Sequence, residues 1–357
     1  MNRTTQRIIA LVAIAAVAGV GIGVGVWYVT LPSSTTNPYT YPGLDSKPSL
    51  SRTIKIGVLD DMAQTGIFSY AGATLSAAEI NAGGGVTIDG NTYYVGLVKE
   101  DTREASYDND KAIAAAEKMK TYNPHAILGG FRSETFEIYI TRIMDADIPF
   151  MITGSATTDF CQDWLGNPAT RDFYKWLFRC MPLNSQHLGE HLSYLLKEEI
   201  IDAIGDHQGS HADNVWIVYE DLIWTADIKD MVQETLNESY PNYFGYSGDT
   251  QPNITVQSIP RRTGPSAWTS TEFSSLWNNI KSDGAQLVVP IISDIFYGYD
   301  FSKPYNETKP DCLIAGINVA AQTFDHWSNT EGGCEYEITT HAIAYVNFTE
   351  RSLDWFD

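Results

Sequence analysis

Three kinds of side chain stand where strand-like runs of this sequence give way to helix-like ones, and their chemistry suits holding a small molecule. Hydroxyls come first: Ser155 and Thr157 follow the apolar run Pro149–Thr153 in PFMITGSATT. Hydroxyls and backbone N–H groups at a helix start can grip a carboxylate through charge-assisted hydrogen bonds, and the same residues can equally serve as helix caps. Acids come second: Asp60 and Asp61 close the run Ile54–Leu59. Aromatics come third: Tyr70 at the mouth of the next helix, and Trp224 after VWIVYEDL. An aromatic pair across a cleft supplies buried area and can face an ammonium, worth ~1–2 kcal/mol; core packing is the ordinary alternative for both. Ligands of open α/β sheets gather at the carboxyl edge of the strands, where all of these residues fall.

Catalytic and cofactor signatures are missing. There is no GxSxG elbow and no HExxH helix, and the loop after Ile54–Leu59 has neither a phosphate-loop lysine nor dinucleotide glycine spacing. No enzyme, cofactor or metal is expected. His207 and His211 lie among acids in DAIGDHQGSHAD, but their spacing is looser than a zinc site needs. Lys and Arg number 23 against 44 Asp and Glu, a net charge of −21, so a nucleic-acid partner is excluded for want of a basic footprint.

The elements that must position these residues alternate strand and helix, the mark of parallel sheets. Strands are expected at Ile54–Leu59, Tyr93–Lys99, Ala126–Leu128 and Pro149–Thr153, with helices over Ser69–Asn81, Tyr107–Tyr122 and Glu134–Ala146. After an aromatic, irregular stretch from Asp159 to Arg179, the alternation resumes. Helices over Ser185–Ile200, Thr225–Glu238 and Thr271–Ser282 interleave with strands at Val215–Tyr219, Ile254–Ile259, Leu287–Ile291 and Leu313–Ala315. The fold class is α/β with two lobes, each a parallel sheet with helices on both faces. Domain bounds are 53–180 for the first lobe, 181–345 for the second and 346–357 for a return toward the first.

Ahead of the lobes, Ile8–Val29 is an uncharged apolar run of membrane-spanning length. Arg3 and Arg7 precede it, which places residues 1–29 as a cytoplasmic stub and single-pass anchor, or an uncleaved signal, with the remainder outside the cell membrane. Residues 30–52 are rich in Ser, Thr, Pro and Asn and read as a stalk. Cys161, Cys180, Cys312 and Cys334 all lie on the outer side, where disulfides are expected; of the three possible pairings the short-range one, Cys161–Cys180 with Cys312–Cys334, is preferred. Sequons at Asn237, Asn253, Asn306 and Asn347 suit a glycosylated, exported surface.

Five segments in order, IKIGVL with SYAGATLSAAEINAGGGV, VKEDTREASYDNDKAIAAAEKM, AILGGFRSET, IPFMITGSATT and VWIVYEDLIWTADI, resemble the branched-chain amino acid (Leu/Ile/Val)-type solute-binding proteins of ABC transporters. These belong to the type I periplasmic-binding-protein superfamily, and the resemblance runs from about residue 54 to 345. It implies two lobes that close on an amino acid or small amide, delivery to an ABC permease, and an extracellular or periplasmic location. It further implies that Ser133, Ser155, Ala156 and Thr157 hold a ligand carboxylate, with Phe131 and Arg132 in the same loop. Tyr70 and Trp224 would cover the ligand from the two lobes. The family's acid for the ligand ammonium falls at or near Asn318 in GINVAA, which carries no charge; Asp294, Asp60 or Asp61 would have to replace it, and otherwise a neutral amide gains ground. The family also ends in further first-lobe helices that this sequence lacks, so the C-terminal part of that lobe is expected to be missing and the chain a fragment. A ligand-sensing receptor ectodomain of the same fold is the alternative to transport.

Overall fold

A computed structural model describes residues 37–340 apart from 182–183, 209–211, 213, 244–251 and 264–265. The first lobe begins with β1 (Thr53–Asp60), α1 (Gly66–Ala82), the short β2 (Val86–Ile88) and β3 (Asn91–Asp101). It continues with α2 (Asn109–Thr121), β4 (Ala126–Gly129), α3 (Ser133–Met144), β5 (Phe150–Ile152), α4 (Pro168–Tyr174) and β6 (Leu177–Arg179). The sheet order is β2-β3-β1-β4-β5-β6, parallel except for the β2–β3 hairpin. The core under α2 and α3 centres on Phe136, whose ring meets Phe150 at 5.2 Å and Tyr139 at 5.4 Å, both edge to face. The opposite face is thinner. There Ala77, Tyr70 and Ala73 of α1 pack on Val95 and Leu97, while Ile67, Phe68, Leu75 and Ile80 are exposed.

The second lobe opens with α5 (Ser185–Leu195), which passes through a π-helical turn (Leu196–Ile200) into α6 (Ile201–Gln208). Then come β7 (Asn214–Glu220), α7 (Ile223–Tyr243), β8 (Asn253–Ile259), α8 (Ser270–Ser282) and β9 (Leu287–Ile292). The lobe ends with α9 (Ile295–Ser302), α10 (Tyr305–Thr308), β10 (Leu313–Asn318), α11 (His326–Asn329) and β11 (Glu337–Thr339). All five strands are parallel in the order β11-β10-β9-β7-β8. Separate apolar clusters cover the two faces, one around Ile228 and Val232 of α7, the other around Phe273 and Trp277 of α8. β9 is buried at every position, as a central parallel strand with both faces covered should be. Its Pro290 lacks the N–H of a ladder residue, and Gly316 of β10 sits against it: a Cβ there would lie 2.2 Å from the Pro290 carbonyl oxygen. Only glycine leaves room for the proline in mid-sheet.

Several expectations are corrected. The stretch read as stalk is packed from Tyr39 onward: Tyr39 is fully buried with its hydroxyl donating to the Tyr122 carbonyl, and Thr40 bridges Leu97. Tyr39 and Tyr41, both buried in the first-lobe core, supply enough apolar area to hold this segment against the sheet edge. The expected disulfides are absent, since all four cysteines are free thiols. Cys312 is buried in the α8 cluster, where burial pushes its thiol up to about 12 and keeps it protonated, while Cys334 sits in the turn before β11. Cys161 lies in a π-helical segment (Phe160–Leu165) and Cys180 follows β6, exposed. The apolar run 8–29 and the return 346–357 lie outside the described residues, as do His211 and Asn347. Among the described residues no helix is long and apolar enough to cross a membrane.

Candidate functional site

The strand ends of the two sheets face one another across a cavity of about 410 Å³. Its walls are mainly apolar, with Phe131 and Ala156 from the first lobe meeting Leu222, Trp224, Ile317 and Val319 from the second. The loop after β4 reaches this cavity because Gly129 and Gly130 turn the chain with φ of +137° and +76°. A Cβ on Gly129 would stand 2.0 Å from the Leu59 carbonyl oxygen, so no other residue fits that turn.

Arg132 emerges from this loop and crosses to the second lobe. Its Nη1 donates to the Tyr107 hydroxyl at 3.0 Å and to Ser293 Oγ at 3.2 Å, and its Nη2 donates to Asp294 Oδ2 at 3.0 Å. Glu220, at the end of β7, lies 3.6 Å away through Oε1. Its Oε2 accepts from the backbone N–H groups of Ser293 and Asp294 and from the Ser293 hydroxyl. Asp294 also caps α9 through Oδ1 and pairs there with Arg262 at 2.9 Å. Burial opposes the Arg132 charge, but Tyr107, Glu220 and Asp294 more than offset it and hold the guanidinium protonated. Burial likewise raises the Glu220 carboxyl, against the pull of Arg132. A second tie joins the lobes: Glu134 Oε1 accepts the Ile223 backbone N–H at the start of α7, at 2.6 Å.

Beneath the loop lies Glu104, fully buried. Its Oε2 accepts from the N–H groups of Phe131 at 2.9 Å and Arg132 at 2.6 Å, and its Oε1 from the Tyr139 hydroxyl at 3.0 Å. Burial, with the Asp60 charge next, pushes its carboxyl up to about 8 despite those bonds. Burial also carries Asp60 to about 6 and Glu137 to about 7. An acid whose pKa is raised in the folded state holds more protons folded than unfolded between the two values, so stability falls as pH rises through that window. The urea midpoint is therefore expected to be higher near pH 5 than near pH 8, with Glu104→Gln removing much of the difference. A midpoint that climbs over that range would contradict the buried-acid account.

Of the residues singled out from sequence, the structure brings Phe131, Arg132, Ala156 and Trp224 to the cavity wall. Ser133, Ser155 and Thr157 are buried just behind it and bond within the loops. Ser155 Oγ donates to the Gly130 carbonyl, and Ser133 Oγ accepts the Thr157 N–H. Arg179 ties the same loop by donating to the carbonyls of Ser155 and Thr157. Tyr70 is placed away from the cavity wall: it packs on the far face of the first sheet, with Lys99 Nζ 4.3 Å from its ring centre. Asp294 sits behind Ser293, held by two arginines. Asn318 is fully buried, bonded to Ala320 N–H, Glu337 and Ser302. Asp60 and Asp61 bond inside the first lobe, to Ser69 and to Ala105 N–H. Sequence reasoning missed Glu134, Ser293, Leu222 and Ile317, all on the wall. Each lies within two residues of a strand's carboxyl end or of a helix start, the one signal that could have flagged them.

Residues 53–293 match the family model described as periplasmic binding protein. Among solved structures, the fold resembles a solute-binding protein of an ABC transporter from R. palustris in complex with 4-hydroxybenzoate. That likeness has a TM-score of 0.60 at 15% identity and covers 85% of this chain and 72% of that one. The branched-chain amino acid transporter substrate binding protein LivJ from Streptococcus pneumoniae, in complex with isoleucine, gives 0.52 at 17% identity, over 79% and 68%. The leucine-, isoleucine-, valine-, threonine- and alanine-binding protein from Brucella ovis, in its closed conformation, gives 0.59 at 13% identity, over 85% and 69%. No curated protein matches the chain. Identities this low speak for the fold alone, but the family model spans more than half of the sequence. The chain belongs to the periplasmic binding protein family, a family of binding proteins and not of enzymes.

Proposed function

We propose that the protein is an extracytoplasmic solute-binding protein of an ABC importer, capturing a small amino-acid-like or amide ligand between its two lobes and passing it to a membrane permease. The observation that carries this is the interlobe cavity of about 410 Å³, within the range of small-molecule sites and walled by both lobes. Its apolar walls with few polar groups suit a ligand that buries a hydrocarbon body and fixes its orientation with its head. The apolar run 8–29 would tether the protein to the outer face of the cell membrane. The test is thermal unfolding of the purified protein with a panel of amino acids, amides, amines and aromatic acids. A true ligand at 100 times its Kd raises stability by about 2.7 kcal/mol, and no shift from any member would count against the reading.

A further inference from the structure

Two charged residues face the cavity, and their situations differ. Arg132 has both terminal nitrogens engaged, by Tyr107, Ser293 and Asp294. Glu134 is only 8% exposed; its Oε1 takes the Ile223 N–H, and Arg261 stands 3.9 Å from that same oxygen. Its Oε2 is buried with no hydrogen-bond partner among the described residues. A buried carboxylate oxygen without a donor is destabilising, and an incoming N–H restores the missing bond. A ligand whose only head is a carboxylate would find the opposite: one base on the wall, already shared between two lobes, and beside it an acid with one oxygen lacking a donor. Phe131 and Trp224 supply aromatic walls close to Glu134 in sequence and through Ile223, and such rings tolerate a cation.

Resting on the cleft reading above, we propose that the ligand head is a protonated amine on an apolar body, and that Glu134 Oε2 accepts its N–H. Calorimetry on the full chain with matched probes tests this: isopentylamine, 3-methylbutanoate and 3-methylbutanamide, then phenethylamine and phenylacetate. The amines are expected to bind at least about tenfold more tightly than the matched acids, and Glu134→Gln to weaken the amines by at least about tenfold while changing the amide little. Gln retains an oxygen for the Ile223 N–H, so the fold and the seam are preserved. Acids binding as well as amines, or amine affinity untouched in Glu134→Gln, would overturn the assignment. In that event, loss of acid binding in Trp224→Ala leaves the cleft reading standing, whereas binding that survives Trp224→Ala, or no binding by any probe, removes both.

Discussion

Replacing Arg132 with leucine is expected to lower unfolding stability by about 3–5 kcal/mol, because it strands two fully buried acids. Glu220 and Asp294 have no exposure, and each faces the guanidinium, at 3.6 Å and 3.0 Å. Arg262 remains on Asp294 from the solvent side, and three donors remain on Glu220 Oε2, so the loss should lie toward the lower end of that range. Arg132→Lys keeps the charge but not the fork that serves Tyr107, Ser293 and Asp294 together, and should fall between. Since the side chain begins in one lobe and ends in the other, Arg132→Leu should also loosen closure, visible as a larger radius of gyration by small-angle scattering. Urea curves within about 1 kcal/mol of the parent would mean that the seam contributes little.

The second large effect is expected at Trp224. Its indole is 7% exposed, packs in the second-lobe core under α7 and lines the cavity. Trp224→Ala should weaken ligand binding by about 100-fold or more, the usual result of removing an aromatic anchor from the centre of a site. It should also reduce stability by about 3 kcal/mol through the space left in the core. Trp224→Phe separates the two: most of the packing returns, and the affinity recovers in part. Unchanged binding in Trp224→Ala would move the ligand out of this cleft.

The alternating architecture was legible because β9 is an unbroken apolar run and α2, α3 and α8 show helical spacing. What escaped were the short strands β2, β6 and β11 and the short helices α4, α9, α10 and α11, elements with too few residues for a clear period, although the equally short β5 fell within an expected strand. The ends of long-range pairs escaped too. Arg132 could be picked out as a loop cation, but its partners Ser293 and Asp294 lie 161 and 162 residues away, and nothing local announces them. Glu104, Glu134 and Glu220 read in sequence like solvated acids; only the fold reveals that each is buried and caps backbone amides. Tyr70 misled for the opposite reason: its place after a strand end suits a site, yet helix phase turns its ring toward Val95 and Leu97.

The seam between the lobes and the outer surface answer to different solvents. Counter-ions reach exposed charges and damp them within about 10 Å at 0.1 M salt, but they hardly reach a pair sealed from water. Arg132 and its acids are sealed in this way, whereas the net charge of −21 is spread over a chain whose exposed acids repel one another. Added salt should therefore quiet the surface and leave the seam intact. Closure would then hold its strength across brines of very different concentration while unfolding temperature rises with ionic strength, a pairing that calorimetry in graded sodium chloride would record directly.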